Sequence, residues 1–229
     1  MPGVDRFLPG RGDRKRRMKR IPIFPLPGVV FFPGTLLPLH IFEPRYRALV
    51  EDAISGDRVI GMAMLAGNEP TTAPRPAVRP VGGAGIIVEH ERLDDGRINI
   101  VLEGTYRFRI VRETPSAPYR TAEVEPVALM PFSNGREERA AIGRTLSHFQ
   151  SLREEMDLAP LPEDALAAER LSGELAIRLR YPPDELQQLL EAPSLTDRFR
   201  EIENRLSEWH ETSDFLRPFR PKEINSLIN

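Results

Sequence analysis

The period of the hydrophobic pattern changes once along this chain, near residue 130, and that change limits what it can fold into. Before it, short runs rich in Val, Ile and Phe are separated by Gly, Pro and Asp clusters, which is the pattern of strands and turns. After it, apolar residues recur every three or four positions, as on one face of a helix. In the first part Ile98, Ile100 and Leu102 alternate with Asn99, Val101 and Glu103. The preceding Asp94, Asp95, Gly96 and Arg97 predict a hairpin turn, because Asp-Gly supplies the positive backbone angle of a tight reversal. A strand over 86–93 then pairs back onto this one. Gly104 is read as an interruption, after which Tyr106, Phe108 and Ile110 alternate with Arg107 and Arg109. Further strands are predicted over 21–24, 36–42, 58–65 and 119–127.

One helix is expected within the strand region, opened by Glu43, Pro44 and Arg45, with Tyr46, Leu49, Val50 and Ala53 at helical spacing. Proline suits its first turn. The proline-rich stretch from Gly67 to Pro80 reads as a long exposed loop, since proline cannot donate to a sheet ladder. In the second part Ile142, Leu146, Phe149 and Met156 mark one helical face, Ala168, Leu171, Leu175 and Leu179 a second, and Leu195, Phe199, Ile202, Leu206 and Trp209 a third. Pro182 and Pro183 end the second helix and introduce a short one over 184–191, while Ser194 and Asp197 resemble a cap and its third-position carboxylate. The expected organisation is a basic leader over 1–20, a β domain over 21–130 and a helical domain over 131–229.

Composition excludes several chemistries. The chain has no cysteine, so disulfides, thiolate metal sites and a cysteine nucleophile are ruled out. No apolar run is long enough for a membrane span or a secretory signal, which makes the cytoplasm the default location. Net charge is −2, yet residues 1–20 hold eight Lys/Arg against Asp5 and Asp13, leaving −8 on the rest. An acidic body disfavours nucleic acid, whose binders present a basic face over the folded domain. The tail itself has three readings: an arm for nucleic acid or an anionic surface, a solvated leader, or a segment preceding a true start at Met18.

The stretch IPIFPLPGVVFFPGTLLPLHIFEPRYRALVEDAI followed by RVIGMAML resembles the start of the Lon protease N-terminal, substrate-binding domain. GAGIIVEHERLDDGRINIVLEGTYRFRI resembles that family's central hairpin, PYRTAEVEPV its last strand, and LAIRLRYPPDELQQLLEAPSLTDRFREIENRL its C-terminal helices, so the resemblance covers about residues 20–211. It implies an α+β fold, with a PUA-like pseudo-barrel of antiparallel strands followed by a C-terminal helical bundle. The implied function is non-catalytic binding of unfolded or flexible polypeptide segments, as an adaptor in protein quality control with a protease or chaperone as partner. An RNA-binding PUA-like protein is the alternative. No cofactor is expected. Lys15, Lys19 and Lys222 follow Arg14, Met18 and Pro221, so this sequence lacks the Gly-Lys pair of a P-loop. The Lon peptidase uses a serine with a lysine base, and no lysine lies between residues 20 and 221.

Phe31, Phe32, Arg45 and Tyr46 are the candidate peptide-binding residues. The two phenylalanines, bracketed by Pro27, Gly28, Pro33 and Gly34, could line a groove or plug the barrel end. Arg45 and Tyr46, beside Arg47, suggest carboxylate or peptide recognition, with pairing of one arginine to a nearby carboxylate as the alternative. The groove is expected between the β domain and the helices, because ligand sites favour such junctions. Arg107 and Arg109 are read as outer polar surface. The Gly-rich residues 81–85, not followed by a helix, are read as a bend in a strand. His40, His90, His148 and His210 show no metal-ligand spacing.

Overall fold

The computed structural model describes residues 18–67, 76–114 and 118–216. The basic leader over 1–17 and the centre of the proline-rich loop, 68–75, lie outside them. Six strands, β1 (Lys19–Leu26), β2 (Leu36–Ile41), β3 (Val59–Met64), β4 (Val81–Arg92), β5 (Ile98–Thr114) and β6 (Arg120–Val127), form a sheet ordered β2-β5-β4-β3-β1-β6. An additional β5–β6 pairing closes five of them into a barrel. β2 stays outside the ring as a wing on the first half of β5.

Closure depends on the length of β5. Its residues Ile98–Glu103 pair with β2, its residues Arg107–Thr114 pair with β6, and β4 runs along both parts. Gly104 therefore does not interrupt the strand, contrary to the sequence reading. The irregularity falls at Thr105, which has no partner in the β4 register, and its hydroxyl donates to the Ala84 carbonyl at 2.9 Å. A bulge of this kind adds twist where the strand passes from wing to barrel. The sheet is mixed, which corrects the expectation of antiparallel strands alone. β1 and β3 are parallel, and the crossover that joins them runs through β2 and α1 (Pro44–Ser55).

Pro44 begins α1 beside Glu43, and Tyr46, Leu49, Val50 and Ala53 turn one face of the helix onto the core formed by Ile41, Ile60, Met62, Ile87, Ile98, Ile100 and Leu102. A separate cluster of Ile21, Ile23, Phe108 and Val124 fills the barrel. The hairpin turn after β4 has Gly96 at φ +80°, as Asp-Gly requires.

The helical half comprises α2 (Gly135–Arg153), α3 (Ala168–Arg178), α4 (Pro183–Glu191) and α5 (Leu195–Leu216). Asn134 caps α2 by accepting from the Arg136 and Glu137 amides, and Ser194 caps α5 by accepting from the Asp197 amide at 3.1 Å. Phe149, Leu152, Leu171, Leu175, Phe199, Ile202 and Leu206 form the core between these helices. No helix among the described residues is long and apolar enough to cross a membrane.

Outside the barrel core, the Tyr119 hydroxyl donates to Asp52 at 2.6 Å. Burial and this carboxylate hold the phenol protonated and push its pKa from 10 to about 12. The folded state thus retains a proton that the unfolded chain releases, so this contribution is complete below pH 10 and is lost between pH 10 and 12. Tyr119→Phe is expected to lose about 1 kcal/mol at pH 8 and to show a shallower decline across the alkaline window. Urea midpoints of both proteins against pH provide the check, since every other titrating group cancels in the difference.

Candidate functional site

Alternation along β2 sends Leu37, Leu39 and Ile41 toward the core and leaves Leu36, Pro38 and His40 exposed. Their register partners on β5 are Glu103, Val101 and Asn99, and the latter two oppose Glu89 and Glu91 of β4. Val88 is skipped in that register and is pushed to the surface. The outer face of the β2–β5–β4 wing forms a groove of 410 Å³, with Pro38 and Val101 on its floor and His40, Glu89 and Glu91 among its polar walls. Leu36 and Phe42 stand beside it, 56% and 63% exposed.

The β2 backbone has an open edge. Among the described residues β2 pairs with β5 alone. The Gly104 amide donates to the Thr35 carbonyl at 2.9 Å, and this pair continues into the β2–β5 register. Hydrogen-bonded pairs alternate in an antiparallel ladder, so Leu37, Leu39 and Ile41 bond to β5. Leu36, Pro38 and His40 direct their backbone polar groups away from it. Pro38, which has no N–H, occupies an edge position that a proline tolerates.

A polar chain crosses one end of the groove. Arg97, held by Asp95 at 2.6 Å, donates from Nη1 to His40 Nε2 at 3.1 Å. A guanidinium can only donate, so Nε2 accepts, Nδ1 carries the proton, and it donates to Asn99 Oδ1 at 2.7 Å. Asn99 Nδ2 donates in turn to Glu91 Oε2 at 3.1 Å. The hydrogen bond from Arg97 keeps the Asp95 carboxyl below the ordinary carboxylate range. Both nitrogens of His40 are engaged, which gives the ring a positioning role at the groove end. Glu89 on the groove wall and Glu103 opposite Leu36, by contrast, form no ion pair with a described residue, so the outer face of the wing is acidic.

The residues singled out from sequence lie elsewhere. Phe31 and Phe32 are 3% and 0% exposed. Phe31 enters the core beneath α1 and Phe32 enters the helical core. Tyr46 is also buried, stacked on Phe24 with ring centroids 4.1 Å apart. Arg45 is exposed, pairs with Glu43 at 2.9 Å and lies over the Tyr46 ring. None of the three aromatic rings offers a face to a ligand, because each is covered by its own core. Arg107 is a correction: it is 2% exposed, whereas Arg109 is exposed as expected. The helical half covers the outer face of β5 at the first of these positions and not at the second.

The junction between the halves is also a correction to the expected groove. Phe32 fills it, the Arg198 guanidinium lies over the Phe32 ring, and Gln187 Nε2 donates to the Val81 carbonyl at 2.9 Å. Of the four histidines, His148 and His210 meet edge to face. Among the described residues, no group of three His, Asp or Glu side chains could hold a metal ion. One signal in the sequence foreshadowed the open edge: a proline in mid-strand, Pro38, which marks an edge strand.

A family model described as the ATP-dependent protease La (LON) substrate-binding domain matches residues 20–208. The chain is 29% identical over 200 residues to Lon protease 2 of Myxococcus xanthus, covering 84% of this chain and 24% of that protein. It is 29% identical over 192 residues to the Lon protease of Dictyoglomus thermophilum, covering 80% and 23%. The chain therefore spans about a quarter of the length of these relatives. Among solved structures, the N-terminal domain of the Mycobacterium avium complex Lon protease is similar at a TM-score of 0.60 and 17% identity, covering 82% of this chain and 98% of that one. The Lon N-terminal domain protein from Xanthomonas campestris is similar at 0.56 and 21%, covering 81% and 98%.

Proposed function

This chain belongs to the LON substrate-binding domain family, and from that premise we propose that it is a polypeptide-recognition module with no catalytic activity of its own. It holds extended, flexible segments of protein clients on the β2–β5–β4 face and acts in the cytoplasm as an adaptor for a protease or chaperone. The observation that carries this reading is the groove floored by Pro38 and Val101 beside an unpaired strand edge. An apolar floor with a few polar walls suits side chains of varied sequence, which a module for unfolded clients must accept. Arg45, exposed and paired with Glu43, stands as a secondary contact for a client carboxylate.

Fluorescence anisotropy with a labelled, permanently unfolded polypeptide, such as a reduced and carboxymethylated protein, tests the reading. Saturable binding is expected, weakened about tenfold or more by Val101→Glu, which places a charge on the apolar floor. Absence of saturation, or binding indifferent to Val101→Glu and displaced by RNA, would count against it. Incubation with ATP and the same polypeptide is expected to leave both intact.

A further inference from the structure

We infer that the occupant of this site is an extended segment whose outward side chains, every second residue, are in turn basic and apolar, and that it binds by adding a strand to the open edge of β2. The inference rests on the polypeptide-recognition reading and assigns its mode and its selectivity. The backbone supplies the mode. Leu36 and His40 direct an N–H and a C=O outward and Pro38 a C=O alone, so an antiparallel strand beside them finds two donors and three acceptors. Adding a strand to a sheet edge gives affinity through main-chain bonds and specificity through alternate side chains.

Charge supplies the selectivity. Side chains of the added strand that stand opposite Leu36, Pro38 and His40 fall on the outer face of the wing, where β5 presents Glu103, Val101 and Asn99 in the same order. The added strand lies roughly 10 Å from β5, two strand spacings away, a distance that a lysine or arginine reaching toward a glutamate closes. A basic residue opposite Leu36 therefore meets Glu103, an apolar residue opposite Pro38 covers Val101, and Glu89 on the next strand adds to the negative field. Of the cations at this end, Arg97 and Arg92 are already held by Asp95 and Glu51, and Arg47 donates to the Gly96 carbonyl of the hairpin turn. A second copy of this chain is a poor occupant, because edge-to-edge pairing would bring together two like-charged wings.

The test uses the full chain and three labelled octapeptides in which every second residue is Thr and the residues between are in turn Lys and Val (the Lys-Val peptide) or Glu and Val (the Glu-Val peptide), the third being the Lys-Val peptide with every second amide N-methylated. Anisotropy reads affinity, and amide hydrogen exchange by NMR reads the site. The Lys-Val peptide is expected to bind about tenfold or more tighter than Glu-Val, to lose about tenfold on Glu103→Lys, and to weaken with salt. N-methylation is expected to abolish binding, and the Leu36 and His40 amides to exchange more slowly in the complex. Equal affinity for the Glu-Val or the N-methylated peptide would overturn the inference. So would protection of those amides that rises with protein concentration in the absence of peptide. If the unfolded polypeptide binds and is sensitive to Val101→Glu while the peptides fail these tests, the inference falls and the module reading stands. If neither binds, both fall.

Discussion

Arg107→Ala is expected to lower the melting temperature by roughly 10 °C, the effect of losing about 3–5 kcal/mol in a chain of this size. Arg107 is buried where the barrel meets the helices, and its guanidinium donates to the Leu190 carbonyl, to Ala192 at 2.7 Å and to Ala128 at 2.9 Å. Arg198, 0% exposed, approaches the same place from α5 and donates to the Leu189 carbonyl at 2.9 Å and to Ser172 at 3.2 Å. No carboxylate pairs with either guanidinium among the described residues. Both instead converge on the C-terminal turn of α4, where a helix leaves carbonyls without intrahelical partners and carries partial negative charge.

Burial lowers the pKa of both groups, and with the charge of Arg107 nearby, that of Arg198 falls to about 9. Both remain charged at neutral pH, so the carbonyls they bind are matched by formal charge and not by neutral donors. Arg107→Met separates the contributions, since it keeps the apolar stem and removes the fork; it is expected to recover only a minor part of the loss. Arg107→Lys reaches one carbonyl and not three, and is expected to fall between. Thermal unfolding by circular dichroism measures all three. A melting point for Arg107→Ala within about 2 °C of the parent would show that the junction does not depend on this clamp.

The second large effect belongs to the glycines beneath the two phenylalanines. A Cβ at Gly83 would overlap the Phe31 carbonyl oxygen, and one at Gly104 would overlap that of Phe32. The obstacle is backbone in both cases, so no rotamer change relieves it. Gly83→Ala and Gly104→Ala are each expected to cost about 3 kcal/mol or more, at or beyond the upper end of overpacking substitutions. Gly143 offers the control. It lies inside α2 with nothing within 4 Å of an added Cβ, so Gly143→Ala is expected to stabilise by up to about 1 kcal/mol through helix propensity. Opposite signs from one chemical change, read from urea midpoints, would place the penalty at the close approach. A tolerated Gly104→Ala would mean that the 31–34 segment can withdraw from β5.

These two sites show how far the sequence could be read. Element type and order follow from local patterning: the Asp-Gly turn, the proline opening α1, the Ser194 cap of α5 and the helical spacing after residue 130 all act within a few residues, and each is where it was expected. The fold class follows from the change in period together with family resemblance. Gly104 and Arg107 resisted because their meaning comes from segments far along the chain. Gly104 reads as a break until the Phe32 backbone is seen crossing it. Arg107 reads as surface until α4 turns its last carbonyls toward it. The same reasoning governs the site: Pro38 marks β2 as an edge strand, but that β2 lies outside the barrel comes from its pairing with β5 alone.

What the sequence by itself determined is therefore local and periodic: which stretches are strands or helices, that cysteine chemistry is excluded, and which family the chain resembles. The tertiary structure alone decided which strand edge stays open, which arginines are buried, and that the 31–32 pair belongs to two cores instead of a groove. The physical reason is that exposure is a property of what packs across from a residue. An alternating strand fixes which side chains share a face, but only the closed barrel and the helices laid over part of it determine which face meets water.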